Sequence, residues 1–335
     1  MRWHHGKQAG NFCTVFHNRW RAVFAAECKS LGMIKIVTDA NPGGVNQHSN
    51  SHGASTMKTM PNTRREFFNR RFVYCVISQR AGGLSVGINM NPDQYCNFDC
   101  VYCEIDRSEK QQVTPQVDLE VMIRELQQTL NLVKSRSMRV LGYQGVPDEL
   151  LELKEVALSG DGEPTLCPNF SRVVEPIIQL RALELFPFFK IVLITNGSGL
   201  HLPDVQAGLA MFTSQDEVWA KLDAGTQDYM DLVNRSGVNL DFILNNILDL
   251  ARRRPVIIQS LFAEIDGAEP PKEEIEQFAR KLRWLNEAGA EIPLVQIYSA
   301  HRPSVDSCVA HLPLRTLSSI ARRVREVSGL KTEVF

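Results

Sequence analysis

Short apolar runs rich in β-branched residues recur along the chain from about residue 84, and amphipathic stretches follow most of them. Runs of this length predict buried strands, and the amphipathic stretches predict helices that pack on them. The predicted strands are Leu84–Met90, Glu155–Ser159, Lys190–Thr195, Val218–Leu222, Val256–Phe262 and Leu294–Tyr298. The predicted helices cover residues 116–134, 170–184, 203–213, 226–233, 239–253 and 271–289, and a closing helix covers 314–327.

The alternation of these elements indicates the fold class. Six strands that alternate with helices predict an α/β protein with a parallel sheet and right-handed crossovers. The sheet is either an open doubly wound sheet or a barrel, full or partial. In each of these folds ligands bind at the carboxyl ends of the strands, so functional residues are expected there.

The first sixty residues have a different character. Residues 39–62 are rich in Gly, Ser, Asn and Pro and hold few large apolar side chains, so burial cannot offset the entropy cost of ordering them. We interpret residues 1–60 as an N-terminal extension that is disordered or that precedes the true translation start, with Met33, Met57 and Met60 as alternative starts. The structured domain then covers residues 61–335, with its core at 84–303.

Charge and composition narrow the class of protein. The chain has 37 basic and 38 acidic residues, a balance that gives no global attraction to nucleic acid or to an acidic membrane surface. A local basic face remains compatible with that balance. No apolar run reaches the roughly 18 residues of a membrane span, and the first residues are polar rather than signal-like. We therefore expect a cytoplasmic protein with no membrane partner.

Three of the eight cysteines lie together in Cys96-Asn-Phe-Asp-Cys100-Val-Tyr-Cys103, directly after the first predicted strand. Three thiolates on one loop suit an iron–sulfur cluster or zinc. A four-iron cluster held by three thiolates leaves one iron open to another ligand. A structural zinc site needs a fourth ligand, and the sequence from Tyr95 to Glu163 contains no His. The spacing favours a [4Fe–4S] cluster, with a zinc site completed from afar as the alternative.

Polar residues end the strands that follow. Ser159-Gly160-Asp161-Gly162-Glu163-Pro164 follows the second strand, and its glycines permit a tight turn and close approach to a ligand. Alone, this motif is typical of a turn with a solvated acid. Thr195-Asn196-Gly197 and Lys221-Leu222-Asp223 close the next two strands. Gln259 and Gln296 lie inside apolar strands, where a buried amide needs hydrogen-bond partners.

The order of these motifs resembles that of the radical SAM superfamily, and within it the group related to the tRNA wyosine-base (4-demethylwyosine) synthases. The resemblance covers roughly residues 66–303 and includes the segments Arg71–Tyr74 and Gly87–Pro92, the cysteine loop, and the sequences SGDGEPTL, ITNG and KLDAG. Asp161 departs from the pattern, because many relatives have Gly in its place. The resemblance implies a partial (β/α)6 TIM-like barrel with parallel strands, and this is the architecture that we expect.

The resemblance also implies the cofactors. In that family Cys96, Cys100 and Cys103 would hold a [4Fe–4S] cluster, and its open iron would bind the amino and carboxylate groups of S-adenosylmethionine. An electron from the reduced cluster then gives a 5′-deoxyadenosyl radical that abstracts hydrogen from the substrate. The protein binds, orients and excludes water, while the cofactor carries the difficult chemistry. Reduced flavodoxin or ferredoxin is the implied electron donor.

The same resemblance implies the contacts to S-adenosylmethionine. Tyr102 is expected near the adenine, and Glu163 is expected at the ammonium group. The backbone of the glycine turn is also expected at the ammonium group, and Asn196, Lys221 and Asp223 are expected along the ribose and the carboxylate. The full set is Tyr102, Gly162, Glu163, Asn196, Lys221 and Asp223.

The substrate and the catalytic residues remain open at this point. Lys221 is a candidate Schiff-base amine, and Gln259 and Gln296 are candidates to face the substrate. Because the wyosine-base synthases condense pyruvate with N-methylguanosine in tRNA, a tRNA base or another small heterocycle is one expected substrate. The alternatives are a radical activase or maturase that acts on a peptide or protein, and a non-catalytic zinc or iron–sulfur module.

Overall fold

A computed structural model describes residues 70–108, 113–300 and 304–335 of the chain. The expected N-terminal extension at residues 1–60 lies outside the described residues, and so do the last three residues of the expected core. The domain boundaries therefore stay predictions.

The described residues form ten strands and seven α-helices. The strands are β1 (Val73–Ser78), β2 (Gly83–Asn89), β3 (Leu153–Ser159), β4 (Lys190–Thr195), β5 (Glu217–Lys221), β6 (Val256–Leu261), β7 (Ala263–Ile265), β8 (Val295–Tyr298), β9 (Val309–His311) and β10 (Thr332–Val334). The helices are α1 (Leu119–Lys134), α2 (Phe170–Ala182), α3 (Pro203–Ala210), α4 (Gln227–Val233), α5 (Leu240–Ala251), α6 (Lys272–Glu287) and α7 (Leu314–Ser328).

The main sheet has eight strands in the order β1-β2-β3-β4-β5-β6-β8-β10. Strands β2 to β10 of this sheet are parallel, and β1 joins β2 as an antiparallel edge hairpin. The sheet curls into a half-barrel, which confirms the predicted partial TIM-like barrel. Strands β7 and β9 form a separate antiparallel pair.

Local sequence accounts for the helix ends. Asp118 accepts hydrogen bonds from the backbone N–H groups of Glu120 and Val121, and so caps the start of α1. Helix α7 ends at Ser328, and the next residue, Gly329, has a φ of 72° that suits the left-handed position after a helix. Its buried residues recur at helical spacing on one face, as the sequence predicts for a helix packed on a sheet.

The two faces of the sheet have different roles. Ile191, Leu193, Val218 and Ile258 are fully buried and form the core between the sheet and the helices. Side chains alternate between the two faces along a strand, and register partners on adjacent strands share a face. The concave face therefore carries the row Lys221, Gln259 and Gln296, which are register partners across β5, β6 and β8.

Strand β1 forms an edge that the sequence patterns did not predict. Three successive backbone N–H groups, those of Arg71, Phe72 and Val73, donate to the carboxylate of Glu125 on α1 at 3.0, 2.9 and 3.1 Å. The ring of Tyr74 covers Gly87, where a Cβ atom would lie 2.1 Å from the ring. The hydrogen bonds to Glu125 on α1 and the packing of Tyr74 on Gly87 thus hold the β1–β2 hairpin in position.

Within the described ranges, no helix is both long enough and apolar enough to cross a lipid bilayer.

Candidate functional site

The candidate site lies at the carboxyl edge of the half-barrel. The loops after β2, β3, β4 and β5 line one cavity there, which runs down into the concave face of the sheet. The predicted site residues on the cavity wall are Cys96, Cys100, Tyr102, Cys103, Gly162, Glu163, Asn196, Lys221, Asp223 and Gln259. Gln296 lies behind Gln259 as its hydrogen-bond partner. The fold therefore brings the sequence-predicted residues to one place, and their roles toward a ligand stay predictions.

Each sulfur of the cysteine loop accepts an N–H hydrogen bond. The backbone N–H of Phe98 lies 3.4 Å from Sγ of Cys96, and Nδ2 of Asn234 lies 3.3 Å from Sγ of Cys100. Nη1 of Arg107 lies 3.0 Å from Sγ of Cys103. Donors of this kind favour the thiolate form, which is the form that binds metal.

Burial opposes ionisation of the Cys96 and Cys100 thiols in the metal-free protein. It raises the pKa of Cys96 to about 12, with a further contribution from the nearby Glu163 carboxylate. Burial also raises the pKa of Cys100, and Lys221 counteracts part of that effect. Metal binding to these sulfurs must therefore displace protons.

The donor set fits a cluster. Across the described ranges, no three His, Cys, Asp or Glu side chains converge on a single metal ion, whereas in a cluster each thiolate binds a different iron and the sulfurs need not converge on one point. Three partly buried sulfurs on one cavity wall, each with its own N–H donor, match the thiolate ligands and hydrogen bonds that iron–sulfur clusters use. Cys96, Cys100 and Cys103 are the residues that would hold such a cluster.

The glycine turn packs directly on the cysteine loop. A Cβ atom at Gly162 would lie 2.0 Å from the carbonyl oxygen of Tyr95, so no larger residue fits without a shift of backbone. Gly160 has a φ of 134° and packs against Asn89. Asn89 Nδ2 donates to Asp161 Oδ2 at 3.0 Å, and Asp161 N donates back to Asn89 Oδ1 at 3.1 Å. Asp161, where the motif departs from its relatives, thus fastens the turn to β2.

Glu163 is buried and already engaged by protein donors. Its Oε1 accepts from the backbone N and the hydroxyl of Thr165 at 3.1 and 2.6 Å, and from the hydroxyl of Thr195. Its Oε2 accepts from the backbone N of Asn196 at 2.7 Å. Burial raises the pKa of Glu163, and the four hydrogen bonds oppose that rise. The carboxylate therefore ties the turn after β3 to the end of β4, in addition to facing the cavity.

Tyr102 and Asp223 form a buried network with Asn234. The hydroxyl of Tyr102 donates to Asp223 Oδ2, and Asn234 Nδ2 donates to the same oxygen at 3.0 Å. The other oxygen, Asp223 Oδ1, accepts from the backbone N of Leu261 at 2.8 Å. Because Asn234 also contacts Cys100, this network connects the cysteine loop to β5 and β6.

Lys221 places its ammonium nitrogen 5.2 Å from the centre of the Tyr102 ring, a cation–π distance. Burial lowers the pKa of Lys221, but Tyr298, Asp223 and Cys100 together outweigh burial and raise it. These neighbouring groups favour the ammonium form of Lys221, and its role as a Schiff-base amine stays a prediction.

Asn196 points across the site to the cysteine loop. Its Nδ2 donates to Asn97 Oδ1 at 3.0 Å, and its Oδ1 accepts from the backbone N and the hydroxyl of Ser198. Asn97 Nδ2 in turn donates to the hydroxyl of Ser198 at 3.0 Å. This ring of hydrogen bonds joins the end of β4 to the cysteine loop.

Gln259 keeps an unused acceptor. Its Nε2 donates to Oε1 of Gln296 at 2.8 Å, while its own Oε1 is buried and has no hydrogen-bond partner among the described residues. A buried polar atom without a partner is costly. Gln259 lines the cavity, so this oxygen is suited to a donor on a bound molecule.

The sequence patterns missed Arg107, Asn234 and Asn97. Arg107 lies four residues after Cys103, the last cysteine of the loop. An arginine at this distance belongs to no motif that predicts a contact with the sulfur. Asn234 is 134 residues from Cys100 along the chain, so only the folded chain shows the contact. Asn97 lies between the ligand candidates Cys96 and Cys100, and neither its residue type nor its position in the sequence indicates a role.

Similar proteins were found by sequence and by structure, although no protein-family model matches the chain. The UPF0026 protein MJ1312 of Methanocaldococcus jannaschii is 29% identical over 173 residues, which is 52% of this chain and 46% of that protein. A GTPase Obg of Brachyspira hyodysenteriae is 25% identical over 202 residues, 57% of this chain and 25% of that protein. The chain thus spans between about a quarter and a half of these relatives.

Two solved structures share the fold over most of the chain. Streptococcus suis SuiB bound to S-adenosylmethionine has a TM-score of 0.50 and 14% identity, and covers 77% of this chain and 52% of its own. A variant of spore photoproduct lyase has a TM-score of 0.51 and 11% identity, and covers 83% and 87%. Both are radical SAM enzymes.

The chain has the radical SAM fold. The resemblance drawn from the motifs is thereby confirmed for the superfamily fold. A structure of TYW1 with a lysine–pyruvate adduct is also similar, with a TM-score of 0.48, 19% identity and 75% of each chain covered. In this fold, the cysteine loop follows the first parallel strand and the glycine turn follows the second.

Proposed function

We propose that the chain is a radical SAM enzyme that holds a [4Fe–4S] cluster on Cys96, Cys100 and Cys103. The observation that carries this proposal is the shared cavity: three cysteine sulfurs and the glycine turn line it together at the carboxyl edge of a half-barrel. When bound, the cluster and S-adenosylmethionine supply an electron transfer and a 5′-deoxyadenosyl radical that removes hydrogen from a substrate.

The residues of the chain bind and orient these groups. Gly162 lets the backbone of the turn reach the cavity wall and pack directly on the carbonyl oxygen of Tyr95 in the cysteine loop. The Lys221 ammonium suits the ligand's carboxylate, and the engaged carboxylates of Glu163 and Asp223 suit its ammonium and ribose hydroxyls. The ring of Tyr102 offers an aromatic face for the adenine. Reduced flavodoxin or ferredoxin is the proposed electron donor.

A small polar substrate, such as a tRNA base or another heterocycle, is favoured over a peptide. The concave face presents polar side chains within the cavity, among them Ser85, Glu155 and Gln259. One mode of peptide binding adds the peptide as a strand to an open sheet edge, and the backbone N–H groups of Arg71, Phe72 and Val73 at the start of edge strand β1 are already engaged by Glu125. A non-catalytic metal module is the remaining alternative.

Anaerobic reconstitution tests the proposal. The protein is loaded with iron and sulfide, reduced with dithionite and assayed for 5′-deoxyadenosine in the presence of S-adenosylmethionine. We expect about four irons per chain and release of 5′-deoxyadenosine from the wild type. Cys100→Ala should lose both, because it removes one of the three sulfurs.

Cys75→Ala is the matched control, since this cysteine packs with Leu84, Met138 and Tyr143 rather than on the cavity wall, and its removal should leave iron content and turnover unchanged. A wild-type chain that binds a single zinc ion, or that loads iron without cleaving S-adenosylmethionine, would contradict the proposed function.

A further inference from the structure

The guanidinium of Arg107 connects three parts of the site. Its Nη1 lies 3.0 Å from Sγ of Cys103, its Nε donates to the carbonyl oxygen of Gln94 at 3.0 Å, and its Nη2 donates to the carbonyl oxygen of Asp161 at 2.7 Å. One side chain therefore joins a candidate cluster ligand, the entrance of the cysteine loop and the glycine turn.

The two backbone carbonyls fix where the positive charge lies. Guanidinium is planar and carries its donors in a rigid fork. With Nε and Nη2 held by Gln94 and Asp161, Nη1 lies against the sulfur of Cys103 at 3.0 Å and also donates to the carbonyl oxygen of Ile105 at 3.4 Å. The fold thus sets the distance between this cation and the sulfur.

The neighbouring donors differ from Arg107 in charge. Cys96 accepts from the backbone N–H of Phe98 and Cys100 from the amide of Asn234, both of which are neutral dipoles. Arg235 is another cation on the wall beside the cysteine loop, but its charge is paired with Asp306 at 2.9 Å. Arg107 brings both a donor and a full positive charge to a sulfur.

A fixed cation at a cluster ligand acts on the redox equilibrium. Reduction adds one negative charge to the cluster, so a nearby positive charge and an N–H donor stabilise the reduced form more than the oxidised form. Hydrogen bonds to the sulfurs and local charge are established determinants of cluster potential. The expected effect of Arg107 is a less negative reduction potential.

We propose, on the basis of the function proposed above, that Arg107 is a positioning residue that raises the reduction potential of the cluster through its contact with Cys103. The residue does not need to touch S-adenosylmethionine or the substrate for this role. Its removal leaves the three sulfurs in place but makes the cluster harder to reduce.

Redox titration of reconstituted variants tests this inference. Arg107→Gln, Arg107→Lys and the control Arg235→Gln are loaded anaerobically, their iron is counted, and their midpoint potentials are measured by EPR without S-adenosylmethionine. For Arg107→Gln we expect at least a tenfold change in the reduction equilibrium, about 59 mV more negative for a one-electron couple. Arg107→Lys should fall between it and the wild type, because an ammonium keeps the charge but cannot satisfy both carbonyls and the sulfur.

The outcomes separate this inference from the proposed function. A wild-type chain that holds no four-iron cluster overturns the function itself. If the wild type is loaded and Arg107→Gln has the same potential, or shifts no more than Arg235→Gln, the inference is wrong. It is also wrong if neither Arg107 variant binds a cluster, since the role of Arg107 is then to assemble the loop.

Discussion

At the scale of single residues, Glu163 shows that a ligand candidate is also a structural carboxylate. Glu163→Gln replaces one oxygen with an amide NH2 group, which faces protein donors whichever way the side chain turns. We expect the free energy of unfolding of the metal-free protein to fall by about 2 kcal/mol, because buried donors lose their acceptor. Affinity for S-adenosylmethionine should also fall. Urea denaturation and calorimetric titration measure the two effects.

Glu152→Gln is a suitable control for Glu163, since this carboxylate is exposed and pairs with Lys154. Unchanged stability together with weaker ligand binding would show that Glu163 serves the ligand alone.

Glu155 is a second buried carboxylate, deeper in the half-barrel. Its Oε1 accepts from the hydroxyl of Ser85 at 2.8 Å, and its Oε2 has no partner among the described residues. Burial raises the pKa of Glu155, so the folded state binds this proton more tightly than the unfolded state does. Stability from this group is present at low pH and is lost as pH rises from about 4.5, its ordinary pKa, through the raised value.

Glu155→Gln should therefore stabilise the protein at neutral pH by about 1 kcal/mol and flatten the pH dependence above pH 4.5. Thermal unfolding of both proteins across pH 4 to 8 checks this. A variant that is less stable than the wild type at pH 7.5 would mean that Glu155 is ionised and favourably paired.

At the scale of elements, the β1–β2 hairpin depends on helix α1 through Glu125. Glu125→Gln leaves one carbonyl oxygen for three backbone donors, and we expect a loss of about 1 kcal/mol. Relative to the wild type, amide hydrogen exchange should become faster at residues 71–73 and change less in β4. Glu120→Gln, on the exposed side of α1, is the control, and equal exchange in the two variants would contradict the assigned role of Glu125.

At the scale of the whole molecule, strands and helices were predictable where a continuous stretch of sequence carries the pattern of apolar residues. Strand β4 was predicted at its observed bounds, because Lys190–Thr195 is a continuous apolar run with a polar start. Strands β9 and β10 have three residues each, too few for a pattern, and pair only through the folded chain. The cysteine ligands were predictable because all three lie in one loop. The contacts of Asn234 and Arg107 were not, because they join distant segments or depend on the direction of a side chain.

The high pKa of Cys96 in the metal-free protein bears on how the protein is handled at the bench. Disulfides and sulfenic acids form through the thiolate, and a sulfur with a pKa of about 12 is almost entirely protonated near neutrality. Brief exposure of the apoprotein to air is thus less harmful at this position than it is for an ordinary cysteine. The same protonation slows uptake of iron, so mildly alkaline buffer should shorten the loading step.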